Sequence, residues 1–416
     1  MVINCHILRI MFFLIAYVHL PPYARRMHCA HPLFNENRLK LGVFGFNGRA
    51  PSHTVLDELY MPSWRGILDI GRTADEAGFE ALVPFARWKT GRASDSPNLG
   101  RLDVYDPFVW AGALGQATRG SAVMATAHMS LMHPVIVAKQ GATVDHVSNG
   151  RFALNVVAGW NEPEFRMFGG ALAAHADRYA QAAEWMDVLQ RFWLEQDDFD
   201  YEGRFYSIKK GESFPKPLQS PLPIMNAGGS DKGRAFAAKY ADMCFTIVKS
   251  SDAGGAKADV DAYRDLARRD FGRSIQVWTI AYVIQRDTQA EADAYERRII
   301  EHADSKSVDA MLTMLGAESQ SMPPAALRAI RNRYICGAGG FPLVGTADTI
   351  VDTLSRLSMA GIDGVLLCWI DFEDGLARWT REVMPRLVQA QLRQPHRIGA
   401  GSHTAGSLRH ECVISP

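Results

Sequence analysis

Two short segments of the sequence carry side chains suited to binding a phosphate group. In the first, an apolar run ends at Gly228-Gly229-Ser230 and leads directly into a helical pattern. Backbone N–H groups at the start of such a helix, together with the Ser230 hydroxyl, form a cradle for an anion, and glycine lets the backbone approach it closely. A purely structural turn explains the segment equally well, because the GxxxxGK[ST] pattern of nucleoside triphosphate sites is missing.

The second segment runs from Asn155 through Glu164 to the pair Arg178-Tyr179. Arg178 falls in the first turn of a predicted helix, where its guanidinium is suited to grip a phosphate while Tyr179 adds a hydroxyl or a stacking face. Glu164 either accepts a hydrogen bond from a ligand hydroxyl or pairs with a nearby arginine. For Arg178 the alternative is a surface ion pair.

The histidines and cysteines form no metal-binding or nucleophilic motif. No HExxH or related ligand spacing is present, so the sequence predicts no metal site. His128 follows a predicted strand and is a candidate for acid–base chemistry, although a loop histidine with ordinary hydrogen bonds is the more common case. Cys244, Cys336 and Cys368 lie in apolar stretches and are predicted to be core residues.

These residues are embedded in an alternation of short apolar runs and amphipathic helical stretches that begins near Leu39. This pattern is typical of parallel strands joined by crossover helices, and continuous apolar runs are expected where both faces of a strand are covered. Eight strands are predicted, at 39–47, 80–86, 121–128, 151–159, 223–228, 243–248, 275–285 and 364–371. They indicate an α/β fold, a (β/α)8 TIM barrel with insertions, and a doubly wound open sheet is the alternative.

In a (β/α)8 barrel the functional groups lie at the carboxyl ends of the strands. The predicted strand ends are polar here, and the side chains concerned are Asn47, Arg87, Trp88, Thr126, His128, Asn155, Trp160 and Asp371. Two insertions interrupt the pattern. Residues 198–223 are predicted to form a hairpin and a proline-rich connection, and residues 304–341 a helical and glycine-rich stretch without a strand; both are candidates for lids.

The composition excludes several classes of protein. Lys plus Arg and Asp plus Glu both total 45 in 416 residues, so there is no excess of positive charge for binding nucleic acid. The apolar run at residues 7–20 is too short to span a membrane. We predict that residues 1–38 are a disordered extension or a mis-chosen start, that 39–392 form the barrel domain, and that 393–416 are a flexible tail. The six scattered cysteines suit a cytoplasmic protein.

Four blocks of the sequence resemble the bacterial luciferase-like flavin monooxygenases, and they occur in the order found in that family. They are HPVIVAKQGATVDHVSNGRFALNVVAGWNEPEFRMFG, HADRYAQAAEWMDVLQRFW, DFDYEGRFYSIK and IMNAGGSDKGRAFAAKYAD. The resemblance covers about Leu39 to Leu392 and is greatest to the group with the pyrimidine ring-opening and dialkylsulfone monooxygenases. It implies a TIM barrel that binds reduced FMN, uses O2 through a flavin peroxide, and receives its flavin from a separate NAD(P)H-dependent flavin reductase. Family members usually form homodimers or homotetramers.

The resemblance also assigns roles to individual residues. It implies that FMN is bound by a set of seven positions besides Asn155, namely Ala86, Arg87, Glu164, Arg178, Tyr179, Gly229 and Ser230. Thr126 and Asn155 match the threonine and asparagine that surround the flavin N5 atom and help to place oxygen, and are therefore the expected catalytic residues.

The substrate is less well defined by the resemblance. The first 38 residues do not align, and the MSLMHP segment departs from the pyrimidine-opening members. Four side chains are candidates for a flat or apolar substrate pocket, namely Trp88, His128, Met132 and Trp160. The expected substrate is a small, pyrimidine-like heterocycle. The alternatives are a dialkylsulfone or alkanesulfonate monooxygenase, a deazaflavin-dependent dehydrogenase, a flavin-storage protein and a phosphosugar enzyme.

Overall fold

The computed structural model describes residues 31–89, 103–248, 253–314 and 323–396. Eight parallel strands form a closed barrel, as predicted: β1 (Lys40–Phe44), β2 (Ala81–Val83), β3 (Ala122–His128), β4 (Phe152–Val157), β7 (Ile224–Asn226), β8 (Met243–Phe245), β9 (Gln276–Gln285) and β11 (Gly364–Cys368). Each pairs with the next in this order, and β11 returns to β1 with Lys40 opposite Gly364. All of these strands are buried or nearly so, which explains their continuous apolar sequences.

Helices cover the outside of the barrel. They are α1 (Trp64–Glu76), α2 (Pro107–Ala117), α3 (Pro134–Val147), α4 (Glu162–Met167), α5 (His175–Leu194), α6 (Asp231–Tyr240), α7 (Ala253–Phe271), α8 (Gln289–Glu301), α9 (Ser305–Met314), α10 (Pro324–Cys336), α11 (Ala347–Met359), α12 (Phe372–Arg378) and α13 (Met384–Gln389). The helix ends have ordinary caps: Asp106 accepts from the amides of Phe108 and Val109, and Gly78 and Gly361 follow helices with positive φ. Among the described residues no helix is long and apolar enough to cross a lipid bilayer.

Side chains alternate between the barrel interior and the helical layer. The interior cluster has small residues on β2 to β4 and larger ones opposite, and its members include Ala81, Ala122, Ala153, Met124, Met225, Met243, Trp278, Ile280 and Leu366. The larger cluster lies between the strands and the helices. Cys244, Cys336 and Cys368 are buried free thiols, as predicted. Burial raises the pKa of the Cys244 thiol to about 12, so it stays protonated and unreactive.

The two insertions differ in how well the sequence predicted them. The hairpin is confirmed, as β5 (Phe199–Glu202) pairs antiparallel with β6 (Ser207–Gly211). The second insertion contains α9 and α10, but it leads directly into a strand that we did not predict, β10 (Phe341–Gly345). β10 pairs with the carboxyl half of β9, where Phe341 lies opposite Ala281, whereas β8 pairs with its amino half. Pro342 and the glycines around this short run obscured its strand character.

Chain segments at both ends of the barrel domain pack against its base. Leu33, in a 3-10 turn at Pro32–Phe34, is fully buried in the interior cluster, and the Gln276 side chain donates to its carbonyl. The packed chain thus begins before the boundary predicted at Leu39, and residues 1–30 lie outside the described residues. At the other end Arg393, the first residue of the predicted tail, is 5% exposed, whereas residues 397–416 lie outside the described part.

Both segments are bound to Glu80, which directly precedes β2 and forms a buried ion pair with Arg393. A guanidinium nitrogen of Arg393 lies 2.7 Å from Oε2 of Glu80, and both side chains are at most 3% exposed. The Glu80 carboxylate also accepts from the side chains of Asn35 and Asn37 and from the amide of Leu41. Its lone pairs are therefore fully used, which is the condition under which a buried carboxylate is tolerated.

Removing the positive partner of this pair is expected to destabilise the fold. Arg393→Met leaves the Glu80 carboxylate buried without its charge partner, which costs about 3 to 5 kcal/mol. Urea unfolding followed by circular dichroism measures the change. Arg65→Met is the control, because the Arg65 side chain is 94% exposed and its loss is expected to change stability by less than about 0.5 kcal/mol. Equal midpoints for the two variants would contradict the prediction.

Candidate active site at the carboxyl end of the barrel

Thr126 and Asn155, the two predicted catalytic residues, lie side by side on β3 and β4. They are opposite each other in the strand register, and Nδ2 of Asn155 donates to Oγ1 of Thr126 over 3.0 Å. Thr126 donates its own proton to the carbonyl of Pro84 over 2.7 Å. Oδ1 of Asn155 is buried and has no partner among the described residues. The pair thus presents an unsatisfied acceptor, which a bound polar ligand would satisfy.

The loop after β2 carries Ala86 and Arg87 to the same end of the barrel. Ala86 is 9% exposed, and the Arg87 guanidinium lies 5.0 Å from the centre of the Trp160 ring. Its Nε atom is 3.9 Å from Oε1 of Glu164. Burial lowers the pKa of Arg87, and the Glu164 carboxylate opposes this shift. Arg87 is therefore a desolvated cation close to the Glu164 carboxylate, and it is available to a polar ligand at the carboxyl end of the barrel.

Glu164, on the short helix α4, is 1% exposed and links this loop to β3. Its Oε1 atom accepts from the amides of Trp88 and Lys89 at 2.9 and 3.2 Å. Its Oε2 atom lies 3.4 Å from Nδ1 of His128. Burial raises the pKa of Glu164, but the hydrogen bonds from His128 and from the Trp88 amide outweigh it, so the pKa lies below its ordinary value. The carboxylate remains ionised at neutral pH.

The two predicted phosphate-binding segments meet at the starts of α5 and α6. The Tyr179 hydroxyl is 2.6 Å from the point where a Cβ atom on Gly233 would lie, in the first turn of α6. Arg178 donates to the carbonyl of Gly159, and its buried Nε atom has no partner in the described part of the chain. Residues far apart in the sequence thus converge on one place, with a guanidinium donor left to be satisfied there.

In the glycine-rich turn, the surrounding atoms leave no space for a side chain at Gly228 but leave space at Gly229. A Cβ atom at Gly228 would approach the Gly233 carbonyl oxygen to 2.5 Å, so this glycine is required by packing. A Cβ atom at Gly229 would meet no atom within 4 Å. Ser230 caps α6 by accepting from the amide of Gly233 over 3.1 Å. This bond gives Ser230 the role of a helix cap, and its phosphate-binding role stays a prediction.

The predicted substrate-pocket residues are distributed unevenly. Trp88 is 38% exposed and packs edge to face on Phe168 of the loop after α4, with ring centres 5.7 Å apart. Trp160 lies against Arg87, and His128 against Glu164. Met132 instead packs against the outer hydrophobic core, and its carbonyl accepts from the Trp185 indole. Three of the four candidates thus border the Arg87 and Glu164 region.

A separate cavity of about 210 Å³ lies between the ends of β9 and β11 and the helices α8 and α12. Its walls include Trp369 and Asp371, which follow β11. Asp371 is used as the cap of α12, and the Tyr295 hydroxyl donates to Glu58 on the opposite wall. Asp371, Tyr295 and Glu58 are thus satisfied within the protein, whereas Nε1 of Trp369 and Oε1 of Gln285 are buried without a hydrogen-bond partner among the described residues. None of the predicted cofactor-binding residues lines the cavity.

His53, in the loop after β1, is a site residue that the sequence did not indicate. Its Nδ1 atom is 2.7 Å from the Ser307 hydroxyl, and its main chain bonds to Asp304 and Ile335 in the second insertion. Burial lowers the pKa of His53 to about 4, the charge of Arg87 adds to this, and Asp304 opposes it. Its partner is 254 positions away in the chain, so no local pattern reveals it.

The lowered pKa of His53 predicts a pH dependence of stability. Between pH 6.5 and about 4 the unfolded chain protonates this histidine and the folded chain does not, so stability falls as the pH decreases through this window. His53→Gln is therefore expected to lose less stability than the wild type between pH 6.5 and 4. Urea unfolding at several pH values measures the difference. His146→Gln, at an exposed position, is the control. If the free energy of unfolding changed with pH equally in the wild type and in His53→Gln, the prediction would be contradicted.

A closed parallel barrel with converging polar groups at the carboxyl ends of its strands defines an enzyme of the (β/α)8 class. The family model described as luciferase-like monooxygenase matches residues 39–364, and the chain belongs to this family. It is 31% identical to the FMNH(2)-dependent dimethylsulfone monooxygenase of Pseudomonas putida, over 76% of this chain and 86% of that protein. It is 27% identical to the pyrimidine monooxygenase RutA of Acinetobacter baylyi, over 85% of this chain and 96% of the relative.

The similarity to solved structures concerns the fold. The barrel superimposes on the crystal structure of the long-chain alkane monooxygenase LadA with a TM-score of 0.75. The sequences are 21% identical, and the match covers 86% of this chain and 93% of the other.

Proposed function

We propose that the protein is a two-component flavin-dependent monooxygenase that uses reduced FMN and O2 to oxygenate or cleave a small, pyrimidine-like heterocycle. The observation that carries the proposal is the convergence of Thr126 and Asn155 with Arg178 and Tyr179 at one end of the barrel. Oδ1 of Asn155 and Nε of Arg178 are buried there without a partner among the described residues. The named activities of the relatives support the same reaction class: both are monooxygenases, and the dimethylsulfone enzyme is named for reduced FMN.

The polar side chains at the carboxyl end of the barrel have the chemistry needed to bind FMN. Arg178, Tyr179, Gly229 and Ser230 offer a cation, hydroxyls and an unobstructed backbone for the phosphate. The remaining expected FMN-binding residues are Ala86, Arg87, Asn155 and Glu164. When bound, reduced FMN would supply two of the four electrons that reduce O2, and the substrate that becomes oxygenated would supply the other two.

The protein's own groups have three tasks in this reaction. Thr126 accepts one N–H of the Asn155 amide and so fixes it, and the second N–H of Nδ2 is the donor that holds developing negative charge on oxygen by a preorganised hydrogen bond. Arg87, Trp88 and Trp160 form the wall on which a flat polar substrate stacks or from which it accepts hydrogen bonds. The loop after β2 and helix α4, which Glu164 ties together, exclude water from the reacting atoms.

The pyrimidine-like substrate is supported by the extent of the similarity to RutA, which spans nearly the whole of that protein. A separate flavin reductase is the expected partner, because the dimethylsulfone relative is named for FMNH(2), which a reductase has to supply. We further propose a homodimer or homotetramer in the cytoplasm.

Coupled turnover tests the function. The purified chain, an added flavin reductase, NADH and FMN are incubated with uracil, with thymine or with dimethylsulfone, under air enriched in 18O2. We expect one 18O atom in the product of a pyrimidine and none without FMN. Labelled product only from the sulfone would transfer the substrate assignment to the sulfone class. Turnover without oxygen, in the presence of a deazaflavin, would indicate a dehydrogenase instead of a monooxygenase. Tight FMN binding without any turnover would indicate a flavin-storage protein.

A further inference from the structure

His128 and Glu164 form a buried pair whose geometry resembles a histidine held for proton transfer. The two side chains are 5% and 1% exposed, and 3.4 Å separates Nδ1 of the imidazole from Oε2 of the carboxylate. The other carboxylate oxygen is fixed by two backbone amides, at Trp88 and Lys89. The carboxylate therefore cannot swing away from the imidazole without losing two hydrogen bonds.

The imidazole is placed beside the predicted catalytic residues. Thr126 and His128 lie two positions apart on β3, so their side chains project from the same face of the strand, into the barrel, about 6.6 Å apart along it. His128 is paired in register with Val157, two residues beyond Asn155. Neither imidazole nitrogen makes a hydrogen bond of ordinary length to a described residue, and the 3.4 Å contact with Glu164 is the polar contact of Nδ1. Nε2 is thus the position open to a ligand.

We propose that His128 is the proton-transfer residue of this site and that Glu164 is the residue that positions it. The proposal rests on the proposed function and names a catalytic group for it. An ionised carboxylate beside Nδ1 keeps the proton on that nitrogen, leaves Nε2 unprotonated, and stabilises the imidazolium that forms when Nε2 accepts a proton.

The proton balance of the reaction closes with such a relay. One atom of O2 enters the substrate, and the other leaves as water with the two hydrogens that reduced FMN gives up, so no proton is gained or lost overall. His128 takes up one of these protons at Nε2 and delivers it to the departing oxygen atom, which leaves more readily as water than as hydroxide. The imidazole returns to its neutral form with the Nδ1 proton unchanged.

The tautomer can be measured on the full-length chain without flavin or substrate. Protein labelled with 15N-histidine is examined by long-range 1H–15N NMR, and the His128 signals are assigned from their loss in His128→Gln. We expect the wild type to carry its proton on Nδ1, and Glu164→Gln to shift the population toward the Nε2-protonated form. A wild-type imidazole protonated on Nε2, or a spectrum unchanged by Glu164→Gln, would overturn the positioning role of Glu164 even if the enzyme is active.

Chemical rescue tests the transfer step. In His128→Ala we expect coupled product formation to fall at least about 100-fold, with FMN affinity within threefold of the wild type, and added imidazole to restore part of the rate. Exposed His146→Ala is the matched control and should keep wild-type turnover. Undiminished turnover in His128→Ala, or loss that imidazole does not restore, would overturn the proposal. If the wild type itself gives no product, the proposed function fails, and the NMR result still reports on the pair.

Discussion

Thr126→Val is expected to lose about 99% of coupled oxygenation while it keeps its affinity for FMN. Valine has the shape of threonine, but it removes the acceptor for Nδ2 of Asn155 and the donor to the Pro84 carbonyl. The Asn155 amide is then free to rotate, and the site loses a preorganised donor, an effect of about 100-fold or more in other enzymes. Product formed per NADH consumed, measured with an added reductase, gives the coupling. Hydrogen peroxide should account for the oxygen that does not reach the substrate.

The serine variant separates the hydroxyl from the packing. Thr126→Ser keeps both hydrogen bonds and removes one buried methyl group, so its coupling should stay within about tenfold of the wild type. Tryptophan fluorescence quenching measures the FMN dissociation constant of each variant. Wild-type coupling in Thr126→Val would remove Thr126 from the catalytic residues, and a parallel loss of FMN binding would make its role structural.

Arg178→Ala is expected to weaken FMN binding by about 10- to 100-fold, because a charge-assisted hydrogen bond to phosphate contributes about 1.5 to 3 kcal/mol. The loss should be specific for the phosphate group. Riboflavin has the same ring system and ribityl chain but no phosphate, so its affinity should be nearly equal in the wild type and the variant. The ratio of the two dissociation constants, measured by fluorescence titration, thus isolates the contribution of Arg178 to phosphate binding.

Arg166→Ala is the control for this comparison. Arg166 lies on the neighbouring helix α4, is paired with Glu162, and its side chain is 74% exposed. Its removal should leave both dissociation constants unchanged. Equal losses for FMN and riboflavin in Arg178→Ala would indicate that the arginine supports the backbone at Gly159, to which it also donates, rather than the phosphate.

Much of the barrel was predictable because its strands and helices carry local signals. The eight buried strands are continuous apolar runs, and caps such as Asp106 and Ser230 have side chains typical of helix starts. β10 was missed because its signal is not local. Phe341–Gly345 includes a proline and becomes a strand only by pairing with the carboxyl half of β9, which β8 leaves unpaired. Packing of the rest of the chain, which the sequence pattern does not report, determines that pairing.

The site was predictable to the extent that its residues follow strands. Thr126 and Asn155 end up in contact because they lie on adjacent parallel strands, which eight consecutive units already imply. The contact of His128 with Glu164 depends on the path of a loop and a short helix, and that of His53 with Ser307 on an insertion far along the chain. The directions of these side chains follow from tertiary packing, so residue types and spacing alone left their roles open.

The strand β10 has a consequence for the segment that precedes it. It fastens the segment that contains α9 and α10 to the rim through main-chain pairing with Ala281 to Gln285, and this pairing places few demands on side-chain identity. Substitutions at the exposed positions of that segment are therefore expected to cost the barrel little stability, whereas Val308, Ile335 and Cys336 are packed in the larger hydrophobic cluster and are constrained. The main-chain pairing of β10 thus holds the segment at the rim whatever side chains its exposed positions carry.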